Sequence, residues 1–153
     1  MSRIRTARRC TCTSALAVVL AACGGGGRPI PYADVSPLLR PVEFPHFVRR
    51  AFVSRDAFDS YFQERMPGRA PHVPPVDFAR QELVLVALGP RSSTGYALRI
   101  VSVRDTGGSI AIVAREETPT LGDRVVARVV YPFKLLRIPR LDEPVTLHLV
   151  GRP

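Results

Sequence analysis

The chain has 153 residues and a formal net charge of +9, from 22 basic and 13 acidic side chains, with a single lysine, Lys134, and no tryptophan. The arginines are scattered, with no basic stripe interleaved with aromatics, so the pattern excludes a nucleic-acid partner. A basic surface instead suits anionic partners or lipid headgroups.

Taken in chain order, residues 1–22 read as a leader outside the fold. Arg3, Arg5, Arg8 and Arg9 stand without an acid among them, and the apolar run 15–22 follows. That run is far shorter than the roughly 20 residues a bilayer span needs, but it suits the core of an export signal. It ends in Leu20-Ala21-Ala22-Cys23, which resembles the lipobox of bacterial lipoproteins. The resemblance implies cleavage between Ala22 and Cys23, a diacylglycerol thioether on Cys23, and acylation of the new amine, palmitate included. The alternative is an ordinary secreted protein with a chance cysteine. Cys10 and Cys12 would leave with the leader, so Cys23 would be the one cysteine retained and no internal disulfide could form. Several acyl chains anchor stably where one is marginal. Gly24 rather than Asp follows Cys23, which by Gram-negative sorting rules implies the outer membrane, facing the periplasm or the cell surface. Loss of the leader's four arginines lowers the net charge from +9 to +5.

Residues 23–43 are expected to be a Gly/Pro-rich tether. Gly24, Gly25, Gly26 and Gly27 are flexible, and Pro29, Pro31, Pro37 and Pro41 predict an extended, mostly unpaired backbone. The remaining residues, 44–153, suffice for one domain with one core. Residues 46–54 read as a short strand. Ser54 is placed to cap a helix, with Asp56 in its first turn. Phe58, Tyr61, Phe62 and Met66 recur at helical spacing on one face, and Pro67-Gly68 ends the helix.

Beyond a proline loop the period changes to two. Residues 82–89 are nearly all apolar and suit a strand buried on both faces. In the strand after Gly95, Tyr96, Leu98 and Ile100 share one face. Residues 105–108, Asp-Thr-Gly-Gly, form a hairpin turn into the next strand. Residues 124–138 read as a long strand interrupted at Pro132, and residues 144–151 as a last strand. The expected fold is a β-rich α+β domain, with a mostly antiparallel sheet of about six strands and one amphipathic helix.

The stretch "GPRSSTGYALRI", residues 89–100, could cradle a ligand or launch a strand. A phosphate loop needs a helix after its glycines, whose N-terminus faces the anion. Here a strand follows and no lysine is near, so the turn reading holds. Gly95 is expected at positive φ, with the Tyr96 ring turned inward beside Leu98 and residues 91–94 exposed.

The residues Gly89, Thr94-Gly95-Tyr96, Pro119, Gly122, Tyr131-Pro132 and Lys134 together resemble the C-terminal domain of the PrcB family, the protease-complex-subunit family, over about residues 82–140. Family members often double the glycine before the tyrosine, where this chain has Ser93-Thr94-Gly95. The resemblance implies an accessory lipoprotein subunit without catalysis, in contact with a protein partner such as a protease. A rival resemblance, to chagasin-type cysteine-protease inhibitors, rests on the Ser93–Tyr96 loop. It lacks the tryptophan-bearing loops of that family.

Catalytic patterns are missing. No serine sits in a G-x-S-x-G elbow, and His46, His72 and His148 stand apart in sequence. His148 points away from Val145, Leu147 and Leu149 and is expected at the surface. His72 and Asp77 lack a third ligand for a metal. Glu116 and Glu117 are neighbours on a strand, so they face opposite sides and read as a solvated strand end. No cofactor, metal or catalytic residue is therefore expected, and an uncharacterised envelope enzyme is the minor alternative. Exposed loops on a rigid sheet are the usual place for binding. The candidates are Arg91, Ser92, Ser93, Thr94, Gly95 and Tyr96 in one loop and Pro119 and Gly122 in another, both set at one end of the sheet.

Overall fold

A computed structural model describes residues 26–39, 42–65 and 74–151. Cys23, Ala22, Met66, Pro67, Gly68 and His72 lie outside these residues.

Among the described residues there are eight strands and one α-helix: β1 (Arg28–Pro29), β2 (Ala33–Asp34), β3 (Val48–Phe52), α1 (Arg55–Arg65), β4 (Gln81–Ala87), β5 (Ala97–Asp105), β6 (Ile110–Glu117), β7 (Phe133–Pro139) and β8 (Val145–Val150). They form two four-stranded sheets, in the orders β1-β5-β6-β8 and β2-β7-β4-β3. Every pairing is antiparallel except that of β6 with β8. The fold is thus the expected β-rich, mostly antiparallel α+β domain.

β4 is the centre of the molecule. Its side chains alternate between two apolar layers, so both faces are buried. Val84 and Val86 join Leu98, Ile110, Ile112, Leu136 and Ile138 in the core between the sheets. Leu83, Leu85 and Ala87 face the opposite layer, with Phe52, Phe58, Phe62 and Leu135. The helix supplies Phe58, Tyr61 and Phe62 to that layer, as its spacing predicts. Its N-terminus is capped by Ser54, whose hydroxyl accepts from the Ala57 amide at 3.1 Å. Edge-on contacts of Phe52 with Phe58 and Tyr61, both at 5.2 Å between ring centres, close the layer.

Three expectations change. First, most of the segment read as a tether is docked. Residues 28–29 pair with β5 and residues 33–34 pair with β7, while Ile30, Val35 and Leu39 are buried. The prolines did not prevent this, because both strands lie on sheet edges, where a missing donor costs least. Second, residues 124–130 are not strand; β7 begins only at Phe133. β7 pairs with β4 from Ala87↔Phe133 onward. Beyond Ala87 the facing chain runs into Gly89, at φ 80°, and Pro90, so no straight partner continues. Third, a bulge between Ile100 and Ser102 shifts the alternation of β5, so that Leu98 and Val103 both reach the core. The hairpin at residues 105–108 is as expected, closed by Thr106 N–H donating to the Ser109 carbonyl at 3.0 Å. His148 is exposed.

Candidate functional site

The two loops singled out in the sequence are the two crossovers between the sheets. Residues 88–96 carry the chain from β4 in one sheet to β5 in the other, and residues 118–132 carry it back from β6 to β7. The registers Ala87↔Phe133 and Ala97↔Glu117 place the four strand ends together, so both loops lie at one end of the domain.

There they are laced into an irregular antiparallel ribbon. Leu88 N–H donates to Pro132 O at 3.0 Å, and Arg91 exchanges backbone bonds with Val130 at 2.8 and 2.9 Å. Thr94 N–H donates to Val126 O at 3.1 Å, and the Val126 amide donates back to the Thr94 hydroxyl at 3.0 Å. A tight turn shapes the outer loop. The Asp123 carboxylate accepts from the Thr120 amide at 2.6 Å and from its hydroxyl at 3.0 Å, and these bonds hold its carboxyl below the usual range. Gly122 sits within that turn.

Arg91 is the anchor of the inner loop. Its Nε and Nη2 donate to the two carboxylate oxygens of Glu116, the second at 3.1 Å, while Nη1 donates to Leu88 O at 3.1 Å and Pro90 O at 2.9 Å. The bond to Glu116 raises the Arg91 pKa beyond its ordinary value, against the pull of burial. The expected exposure of residues 91–94 is therefore corrected: Ser93 is buried and Arg91 half-buried, and only Ser92 and Thr94 are exposed. Glu116 is likewise buried and paired, where a solvated strand end was expected. The alternation Ile110, Ile112, Ala114, Glu116 already places it on the inward face.

Gly95 is needed for a different reason from the one anticipated. It is not among the positive-φ glycines. A Cβ there would lie 2.6 Å from Pro119 Cβ and 2.6 Å from Val125 Cγ1. The two loops approach so closely that only hydrogen fits. Tyr96 is half-buried rather than a full core residue. It shares with Leu98, Tyr131, Pro132 and Lys134 a groove of about 340 Å³ beside the ribbon. Lys134 in this groove is ion-paired with Asp34 of β2 at 2.5 Å. Burial pushes the Asp34 carboxyl up, but Lys134 and Ser36 outweigh it and hold it below its ordinary value. Asp77, considered with His72 for a metal, accepts from the Ala79 amide at 3.1 Å in a local turn.

The outer loop is the surprise. Every residue from 121 to 129 is exposed, with Leu121 fully so and Val126 and Val129 at 61% and 59%. The sequence marks this run only as strand-like. A second recess, about 300 Å³ between Phe44, Phe47, Tyr61 and Arg65, lies on the helix side, away from the ribbon.

The geometry defines a two-sheet domain with a laced, exposed ribbon at one end. Residues 83–139, from β4 through β7 and including both crossovers, match the PrcB C-terminal family. This stretch, just over a third of the chain, is similar to the PrcB C-terminal domain. No curated protein and no solved structure matches the chain.

Proposed function

We propose that this protein is a lipid-anchored accessory subunit of an envelope complex, binding a protein partner through the ribbon end and catalysing nothing itself. The lipobox-like sequence at Cys23 supports the anchor, in the outer membrane facing the periplasm or cell surface. The observation that carries the binding reading is the ribbon: bonds at Leu88, Arg91 and Thr94 hold in place a loop whose apolar side chains face solvent. Monomeric surfaces rarely hold such side chains together without a partner. The PrcB-like domain supports a protease complex as the setting. An inhibitor loop at Ser93 and Thr94 is disfavoured, because both residues are spent on internal contacts. No helix among the described residues is long and apolar enough to cross a membrane.

The test is chemical cross-linking of the full-length tagged chain in its own envelope, with an alkyne fatty acid supplied to the cells. The expected result is a fatty-acid label abolished by Cys23→Ser and a discrete cross-linked partner. A label that survives Cys23→Ser overturns the anchor. Turnover of a hydrolase substrate by the purified chain, lost on changing one histidine or serine, overturns the non-catalytic reading.

A further inference from the structure

We infer that the outer segment of the ribbon, residues 121–130, docks an extended partner segment in which acidic and apolar side chains alternate. The inference rests on the accessory-subunit reading and names the chemistry of its partner. Three observations converge on it.

The first is apolar exposure. Leu121, Val126 and Val129 project into solvent from one short segment, with Val125 partly covered beside Gly95. The second is unspent backbone. The inner side of this segment is bonded to residues 91 and 94, yet the amides of Arg124, Val125, Ala127 and Val129 donate to nothing among the described residues. An extended peptide added alongside would accept from such groups, as in strand addition to a sheet edge. The third is charge. Arg124 and Arg128 are exposed and have no side-chain partner among the described residues, whereas Asp123 is turned back onto Thr120. A second copy of this chain would set arginines against arginines, a juxtaposition that disfavours self-pairing of an open edge. A segment bearing carboxylates between apolar residues satisfies both features at once. The valines would bury against its apolar side chains and the two arginines would meet its acids. Charge would then set the encounter rate and the choice of partner, and apolar burial the lifetime.

The test uses the full-length chain in mild detergent and fluorescein-labelled nonapeptides read by anisotropy: one alternating glutamate and valine, one lysine and valine, one glutamate and serine. The glutamate–valine peptide is expected to bind saturably, about tenfold or more tighter than either counterpart. Arg124→Glu with Arg128→Glu should weaken it by a similar factor and reverse the preference toward lysine–valine. Val126→Ser with Val129→Ser should weaken it without reversing the preference. All four positions are exposed, and thermal melts by circular dichroism confirm that the variants fold. Equal affinity for the three peptides, no binding, or variants that bind like the parent each overturn the inference. Concentration-dependent dimerisation removed by Val126→Ser overturns it too, since the surface would then serve a second copy. Cross-linking in the envelope separates the two levels of the argument. Partner capture retained by the doubly reversed variant overturns this surface and leaves the accessory role standing. Absence of capture by the parent overturns the accessory role, while the peptide series still decides the surface.

Discussion

Arg91 and Glu116, 25 residues apart in sequence, meet through two side-by-side hydrogen bonds at the end of the domain where both crossovers pass. Glu116 closes the inward face of β6, and Arg91 ties the inner crossover to it while its backbone holds Val130 of the outer one. The pair thus couples one sheet to both loops. A two-point guanidinium–carboxylate contact fixes orientation as well as distance.

Removing one partner should cost more than the pair contributes, because the other charge is left desolvated. Arg91→Ala is expected to lower stability by about 3 kcal/mol, read as a shift of the urea midpoint. The double variant Arg91→Met, Glu116→Leu should recover much of that loss. A double variant as unstable as Arg91→Ala would show that the loops need the ion pair itself.

Gly95 tests the close approach of the loops. Gly95→Ala places a methyl group 2.6 Å from Pro119 and Val125, so the crossovers must separate. The expected cost is about 1–3 kcal/mol. Cleavage of the full-length chain by a low dose of elastase should move toward residues 121–129. Val125→Ala in the same chain should recover part of the loss, since it removes one of the two clashes. Wild-type stability in Gly95→Ala would refute the packing account.

Tyr96 is half-buried and its hydroxyl makes no hydrogen bond among the described residues. Tyr96→Phe should be near neutral in denaturant melts. Tyr96→Ala is expected to cost about 1.5 kcal/mol, less than truncating a fully buried aromatic ring. A loss above that of a core phenylalanine would mean that the ring anchors the whole crossover.

Glu82 sits fully buried on the inter-sheet face of β4, with one oxygen accepting from the Leu141 amide at 3.4 Å and the other without a hydrogen-bond partner among the described residues. Burial pushes its carboxyl above the ordinary range. The unfolded chain therefore ionises first as pH rises, and binds fewer protons than the folded one between the two pKa values. Stability should fall with rising pH across that window and level off above it. Glu82→Gln keeps the acceptor for Leu141 and removes the titration. It should be more stable than the parent at neutral pH and lack that slope, as measured by melts from pH 4 to 8. Asp34 and Asp123 have the opposite sign: their carboxyls are held low, so their contribution is lost as pH falls below the ordinary carboxylate range.

Local pattern alone determined much of this protein. The cap at Ser54, the stripe Phe58, Tyr61, Phe62, the doubly apolar run of β4 and the hairpin between β5 and β6 depend on neighbours a few residues away, so their periods are legible in the chain. The loop residues Arg91, Thr94, Gly95 and Pro119 also stood out in the sequence, and the fold gathers them at one end. What they do there was decided only in three dimensions. Strand status depends on whether a partner edge is free. Arg28–Pro29 and Ala33–Asp34 become strands because edges of β5 and β7 await them, while the strand-like residues 124–130 do not, because β4 turns away at Gly89. The parallel seat of β8 beside β6, the burial of Glu116 under Arg91 and the 2.6 Å approach at Gly95 each join residues distant in the chain. No local period encodes such contacts, since their energy comes from surfaces that exist only once both sheets have formed.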